Sequence, residues 1–234
     1  MRRKNDSETS IWISTTDLMS GMLVVFLFIA VLSTQGIQKV ADASEEAEKQ
    51  LEQNIAMEFT EEEQREYHMN ADNEGVGYAS FPDGGTQFEA GSAELTPEFA
   101  EKLRSFLPRY VRAIRKSDPT PENTDNIQEI RIEGHTSSEW FGETGHDAYI
   151  KNMALSQART RTIIEFAISL PELSDEDKEY ITRKMTANGL SSSKLIYKDE
   201  AKTIEDEVAS RRIEFRTVAN DEQTLKKMIK ELGR

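Results

Sequence analysis

The chain has 234 residues, no cysteine and a formal net charge of -14, which leaves room for one compact domain beside a short tail, a membrane helix and a linker. The lack of cysteine excludes disulfides and thiolate metal sites, and the acidic balance argues against nucleic acid, whose phosphates need clustered Lys and Arg. His68, His135 and His146 show no metal-ligand spacing, so neither a metal nor another cofactor is implied.

Residues 1–10 form a tail carrying Arg2, Arg3 and Lys4, and residues 11–34 follow as an apolar stretch. About 22 apolar residues at ~1.5 Å each are enough to cross a hydrocarbon layer of ~30 Å. The positive-inside rule then places the N-terminus in the cytoplasm and the acidic remainder outside. A cleaved signal peptide fits less well. The run is longer than a usual signal core, a charge interrupts it, and residues 31–36 make a poor cleavage site.

The interrupting charge is Asp17. An ionisable group at that depth costs several kcal/mol to insert, which marks a functional proton or cation site. The plainer alternative is an interfacial cap of the helix start, shared with Ser14, Thr15 and Thr16. On a helix, Asp17 lies on one face with Ser14, Ser20, Gly21, Val24 and Phe28, and Ser20 and Gly21 are small enough to let a second helix come close.

The order Ser-Thr-Thr-Asp-Leu-Met-Ser-Gly, then Leu-Val-Val-Phe-Leu, resembles the transmembrane helix of MotB-type subunits of ion-driven stators. More closely, it is similar to the MotB-like subunit of the bacterial Zorya anti-phage system. That resemblance implies a proton-accepting role for Asp17, a multi-span MotA-like or ZorA-like partner arranged as a pentamer, and a dimer of the present chain inside that ring.

Residues 35–74 are strongly acidic and contain no proline, while Val40, Ala43, Ala47, Leu51, Ile55 and Phe59 recur at helical steps. The segment reads either as a helix continuing out of the membrane and pairing with a copy of itself, or as a solvated linker whose like charges repel. Asn73, Gly75 and Gly77 then break any helix.

Residues 75–220 form the exported domain. Thr96-Pro97-Glu98 predicts a helix start, with Thr96 as N-cap, and Phe99, Leu103, Phe106, Leu107, Tyr110 and Ile114 as the buried stripe of a helix reaching about Lys116. Pro108 is placed to kink it. Alternation predicts a strand over 129–134, followed by helices over 152–169 and from Asp175 to about Met185. A short strand over 185–187 and a last strand around Ile213, Phe215 and Thr217 complete the set. Residues 221–234 read as a basic C-terminal helix. The class is α+β, a small mixed sheet with helices on one face.

A second resemblance spans most of this domain. Residues 88–97 (FEAGSAELTP), Ile132-Glu133-Gly134-His135-Thr136, Asn152 with Leu155, Ser156 and Arg159, and Arg211-Arg212-Ile213 occur in the order found in OmpA-like peptidoglycan-binding domains. In that family an Asp after Gly-His-Thr and the Arg of Leu-Ser-x-x-Arg hold the two charged ends of diaminopimelate in the cell-wall stem peptide. The Arg carries over to Arg159, but Ser137 stands where the Asp belongs. An ammonium and a carboxylate need an acceptor facing a guanidinium fork, so the acceptor must be Glu139, Asp147 or a backbone carbonyl, or else binding is weak. Tyr149 also lies apart from Asn152 where the family has the two adjacent. The resemblance thus implies a site of Asn152, Leu155, Ser156, Arg159, Arg211 and Arg212, with Ser137 and Tyr149 beside it.

Together these readings give a single-pass inner-membrane protein with a periplasmic domain, a wall-tethered stator subunit of a proton-driven motor, rather than an enzyme. Glu89, Glu94, Glu133 and His135 form no nucleophile, metal or paired-acid constellation. The alternatives are a flagellar-type stator subunit and a passive OmpA-like wall anchor. Asp17 speaks against the second of these.

Overall fold

The computed structural model describes residues 2–69, 77–83, 87–118 and 127–219, and within the first helix the side chains of residues 15–35, 38 and 49–58. The expected C-terminal helix and most of the turn around Asn73 lie outside the described residues. Two units divide near residue 45 and are taken separately.

In the first unit the chain is helical throughout its described length, as part of α1 (Arg2–Glu58). Thr15–Gln35 is long and apolar enough to cross a membrane. Its side chains are exposed, Leu23, Val24, Phe26 and Phe28 among them. Apolar side chains left open along such a length suit the hydrocarbon of a bilayer better than water. Ser20 Oγ donates to the Thr16 carbonyl at 2.7 Å, which satisfies the hydroxyl within the helix.

The second unit begins with the last turns of α1, whose Leu51 and Ile55, with Phe59 just beyond the helix, are buried in its core. Thr60 caps α2 (Glu61–Glu66) by accepting the Glu63 N–H, while Glu63 reaches back to the Thr60 N–H at 2.8 Å. After β1 (Ala79–Pro82), α3 (Pro97–Ser117) starts at the predicted Thr96 cap and runs unbroken through Pro108. Its expected stripe is buried, joined by Val111 and Ala113. Then come β2 (Ile127–His135), α4 (Gly145–Ser169), α5 (Asp175–Lys184), β3 (Met185–Ser191), α6 (Glu207–Ser210) and β4 (Arg212–Ala219).

The strand order is β1-β4-β2-β3, with β2 and β3 parallel and the other pairs antiparallel, so the α+β class and the small mixed sheet are as expected. Register explains the two faces. Ile132 lies opposite Phe215 and Phe215 opposite Ala79, which puts these side chains on one face. Phe215 meets Phe106 and Tyr110 of α3 at ring distances of 5.3 and 5.6 Å on that face. Gly134, two residues on, lets α4 lie close: a Cβ there would come within 2.8 Å of Thr160 Cγ2 and 2.9 Å of the Ser156 carbonyl oxygen. α3 and α4 therefore cover the same side.

Several elements differ from expectation. The four-residue β1 is too short to show alternation, and α6 is a single turn. α4 begins at Gly145 rather than Asn152, because its first two turns bury only Ala148 and leave Ile150 exposed, so no apolar stripe marks them. β3 extends past Ala187 through Gly189, whose missing side chain makes room for the Gln157 backbone.

Candidate ligand-binding site

At one end of the sheet, a cavity of about 330 Å³ is lined by residues from five segments: Asp83 after β1, Phe88, Ala90 and Gly91 before α3, residues between Thr136 and Phe141 after β2, Asn152, Leu155 and Arg159 on α4, and Arg211 just before β4. Loops at strand ends supply most of it, and α4 supplies its floor.

Arg159 is only 7% exposed. Its Nε donates to the Ser92 carbonyl at 2.9 Å, one terminal nitrogen reaches the Glu89 carbonyl at 3.5 Å, and the guanidinium carbon stands 4.7 Å from the centroid of the Phe88 ring. Nη1 makes no hydrogen bond among the described residues. A guanidinium carries five N–H donors, so this one is locked in place with donors unspent. Burial presses it below its ordinary pKa, the nearby charge of Asp83 pushes the other way, and Arg211 adds to the lowering.

Asp83 is the acidic partner that sequence reasoning missed. It is 5% exposed, lines the same cavity, accepts the Gln87 N–H on Oδ1 at 3.2 Å, and ties β1 to β4 through its own N–H and the Arg211 carbonyl at 2.6 Å. The Pro82-Asp83-Gly84-Gly85 sequence reads only as a turn, and nothing in it signals a ligand. Glu139, considered beforehand, also lines the cavity and is exposed. The arrangement offers a fixed cation facing carboxylates, which suits a ligand group bearing both charges.

The other candidate residues divide clearly. Asn152 is buried and its amide donates to the Ser137 and Glu139 carbonyls at 3.1 and 3.0 Å, holding the loop that forms one wall. Ser137, Leu155 and Arg211 line the cavity, and Arg211 also pairs with Glu207 at 3.4 Å. Ser156, Tyr149 and Arg212 are not among the lining residues. Ser156 Oγ accepts the Ser191 N–H at 3.1 Å, and the Tyr149 carbonyl accepts the Ser191 hydroxyl at 2.7 Å, so both fasten β3 to α4.

Arg212 belongs to the opposite face of the sheet, because successive residues of a strand point to opposite sides. There Glu133 and Glu214 lie directly across from each other, a like-charge pairing that is unfavourable alone. Arg212 and Arg216 hold Glu214, the latter at 2.7 Å, while Arg216 and Lys194 stand 3.2 and 3.3 Å from Glu133. His135 Nε2 sits 3.4 Å from Glu214 and 3.7 Å from Glu133. Burial alone would raise Glu214, but His135 and Arg212 reverse that and leave its carboxyl far below the ordinary range. Glu133, His135 and Glu214 are close enough to share a metal ion, yet both carboxylates already face guanidinium or ammonium groups.

In the first unit, Asp17, Ser20 and Gly21 lie on the exposed apolar helix, and nothing stands within 4 Å of where a Gly21 Cβ would be.

No protein-family model matches the chain. It is 34% identical over 236 residues to Zorya protein ZorB of Escherichia coli (strain ATCC 8739), covering 97% of this chain and 96% of that one. Zorya protein ZorB of Escherichia coli O139:H28 is 26% identical over 226 residues, covering 92% and 82%. Among solved structures, a MotB-like protein from Desulfovibrio vulgaris is 16% identical with a TM-score of 0.46, covering 78% of this chain and 95% of that one.

Proposed function

The chain belongs to the ZorB family, and from that premise we propose that it is the wall-tethered subunit of a proton-driven inner-membrane motor acting in anti-phage defence. The observation that carries the tether is the cavity lined both by Arg159, fixed with donors to spare, and by Asp83. Diaminopimelate in the wall stem peptide ends in an ammonium and a carboxylate. Arg159 takes the carboxylate, and Asp83, with Glu139 at the rim, takes the ammonium that Ser137 cannot.

In this reading the apolar part of α1 spans the inner membrane with its N-terminus in the cytoplasm, as Arg2, Arg3 and Lys4 favour. One span makes no channel. Two copies therefore stand inside a pentameric ring of a ZorA-like multi-span subunit, with Ser20 and Gly21 at the close helix contacts, and Asp17 accepts and releases the proton at that interface. At a potential on the order of 150 mV each proton releases ~3.5 kcal/mol, enough to turn one part against another that the wall holds still.

The direct test of the tether is co-sedimentation of the full chain, purified in detergent, with sacculi whose stem peptides contain diaminopimelate. The wild-type chain is expected to pellet with the wall, and Arg159→Ala to stay in solution. Equal pelleting of the two forms would remove the cavity from the reading.

A further inference from the structure

At the mouth of the cavity the chain doubles back over Phe141 and Gly142, closed by paired amides: Trp140 N donates to the Glu143 carbonyl at 2.9 Å and Glu143 N to the Trp140 carbonyl at 2.8 Å. Phe141 has φ +46, in the left-handed region that a bulky residue adopts only when its surroundings hold it there. The ring is nevertheless 75% exposed. Its edge rests on Gly91, where a Cβ would come within 2.9 Å, and Trp140 meets it edge to face at 5.4 Å and 89°. Both rings line the cavity that contains Arg159.

Hydrophobic burial does not account for this arrangement, because the strained residue leaves most of its apolar surface in water. A ligand that suits the site reaches inward with charged groups and lays an uncharged body with an apolar face against the two rings. Glu139 at the rim sharpens the choice. It repels the glutamate carboxylate of a stem peptide, but it accepts hydrogen bonds from sugar hydroxyls.

We propose that Trp140 and Phe141 form a sugar-stacking subsite that takes the C–H face of an N-acetylated pyranose of the wall glycan, beside the peptide pocket. The inference rests on the wall-binding reading above and adds that the chain grips the polymer at a peptide and at the sugar bearing it.

The test is calorimetric titration of the full chain in detergent with two probes: the free tripeptide alanyl-γ-glutamyl-diaminopimelate, and the same tripeptide attached to its N-acetylglucosaminyl-N-acetylmuramyl disaccharide. The wild-type chain is expected to prefer the sugar-bearing probe. Phe141→Ala should weaken that probe roughly two- to tenfold more than it weakens the free tripeptide, so that the preference is lost, Phe141→Tyr should keep the preference, and Arg159→Ala should weaken both probes. Equal weakening of both by Phe141→Ala, or no change in either, overturns the subsite while the peptide pocket stands. Binding of neither probe by the wild-type chain overturns the wall reading and the subsite with it.

Discussion

The guanidinium of Arg159 is stacked over the ring of Phe88, 4.7 Å from its centroid, and is fixed there by the Ser92 carbonyl. That pairing sets the rotamer before any ligand arrives, which is the preorganisation that the proposed anion-binding role requires. Lysine cannot reproduce it. Arg159→Lys keeps the charge but loses the planar fork, and is expected to weaken binding to diaminopimelate-containing peptide about tenfold, against ten- to a hundredfold for Arg159→Ala. Titration of the full chain with that peptide measures both, and a lysine form that binds like wild type would reduce the site to simple charge attraction.

Asp83 and Ser137 form a natural rescue pair. Asp83→Asn keeps an oxygen for the Gln87 N–H while removing the charge, so folding should survive and affinity for an ammonium-bearing peptide should fall about five- to tenfold. Ser137→Asp places a carboxylate in the same cavity and is expected to tighten binding in the wild-type background and to recover most of the Asp83→Asn loss. If Asp83→Asn binds normally, Glu139 is the acceptor.

Acid should loosen the join between α2 and α3. Arg109 donates to both oxygens of Glu63, at 2.6 and 2.8 Å, while stacking on Phe59. The Arg109 hydrogen bonds, with the Thr60 N–H, lower Glu63 from 4.5 to about 2. A depressed carboxylate stabilises the fold fully above its unfolded value, and that contribution fades as pH falls from about 4.5 to about 2. Unfolding of the full chain followed by circular dichroism should show this loss in the wild type and a smaller one in Glu63→Gln. Identical acid profiles would show that the pair contributes nothing.

Gly134 belongs to the Gly-His-Thr segment because of packing. Gly134→Ala forces a methyl against Thr160 and the Ser156 carbonyl, a backbone atom that cannot swing aside, and is expected to cost about 1–3 kcal/mol in denaturant unfolding. An unchanged midpoint would mean that α4 can shift away from the sheet without penalty.

Much of this was legible in advance where the signal is periodic. The Thr96 cap and the Phe99 to Ile114 stripe gave α3, and alternation around Ile132 and Phe215 gave the central strands. Arg159 could be placed by its motif. Asp83, Trp140 and Phe141 could not, because each reaches the cavity through a loop whose course depends on tertiary contacts: the Asp83 N–H on β4, and the Phe141 ring on Gly91. The family resemblance groups Arg212 with Arg211, yet strand alternation sends it to the other side of the sheet, where Glu214 holds it.

The central claim joins a wall tether to a proton site, and one measurement bears on it most directly: phage protection by cells carrying the complete defence system with Asp17→Asn in this chain. Amide and protonated carboxyl have nearly the same shape, but only the carboxyl releases a proton. The variant should therefore accumulate and co-purify with its multi-span partner at wild-type levels while protection is lost, and Asp17→Glu should retain more of it. Full protection by an assembled Asp17→Asn complex would contradict the account.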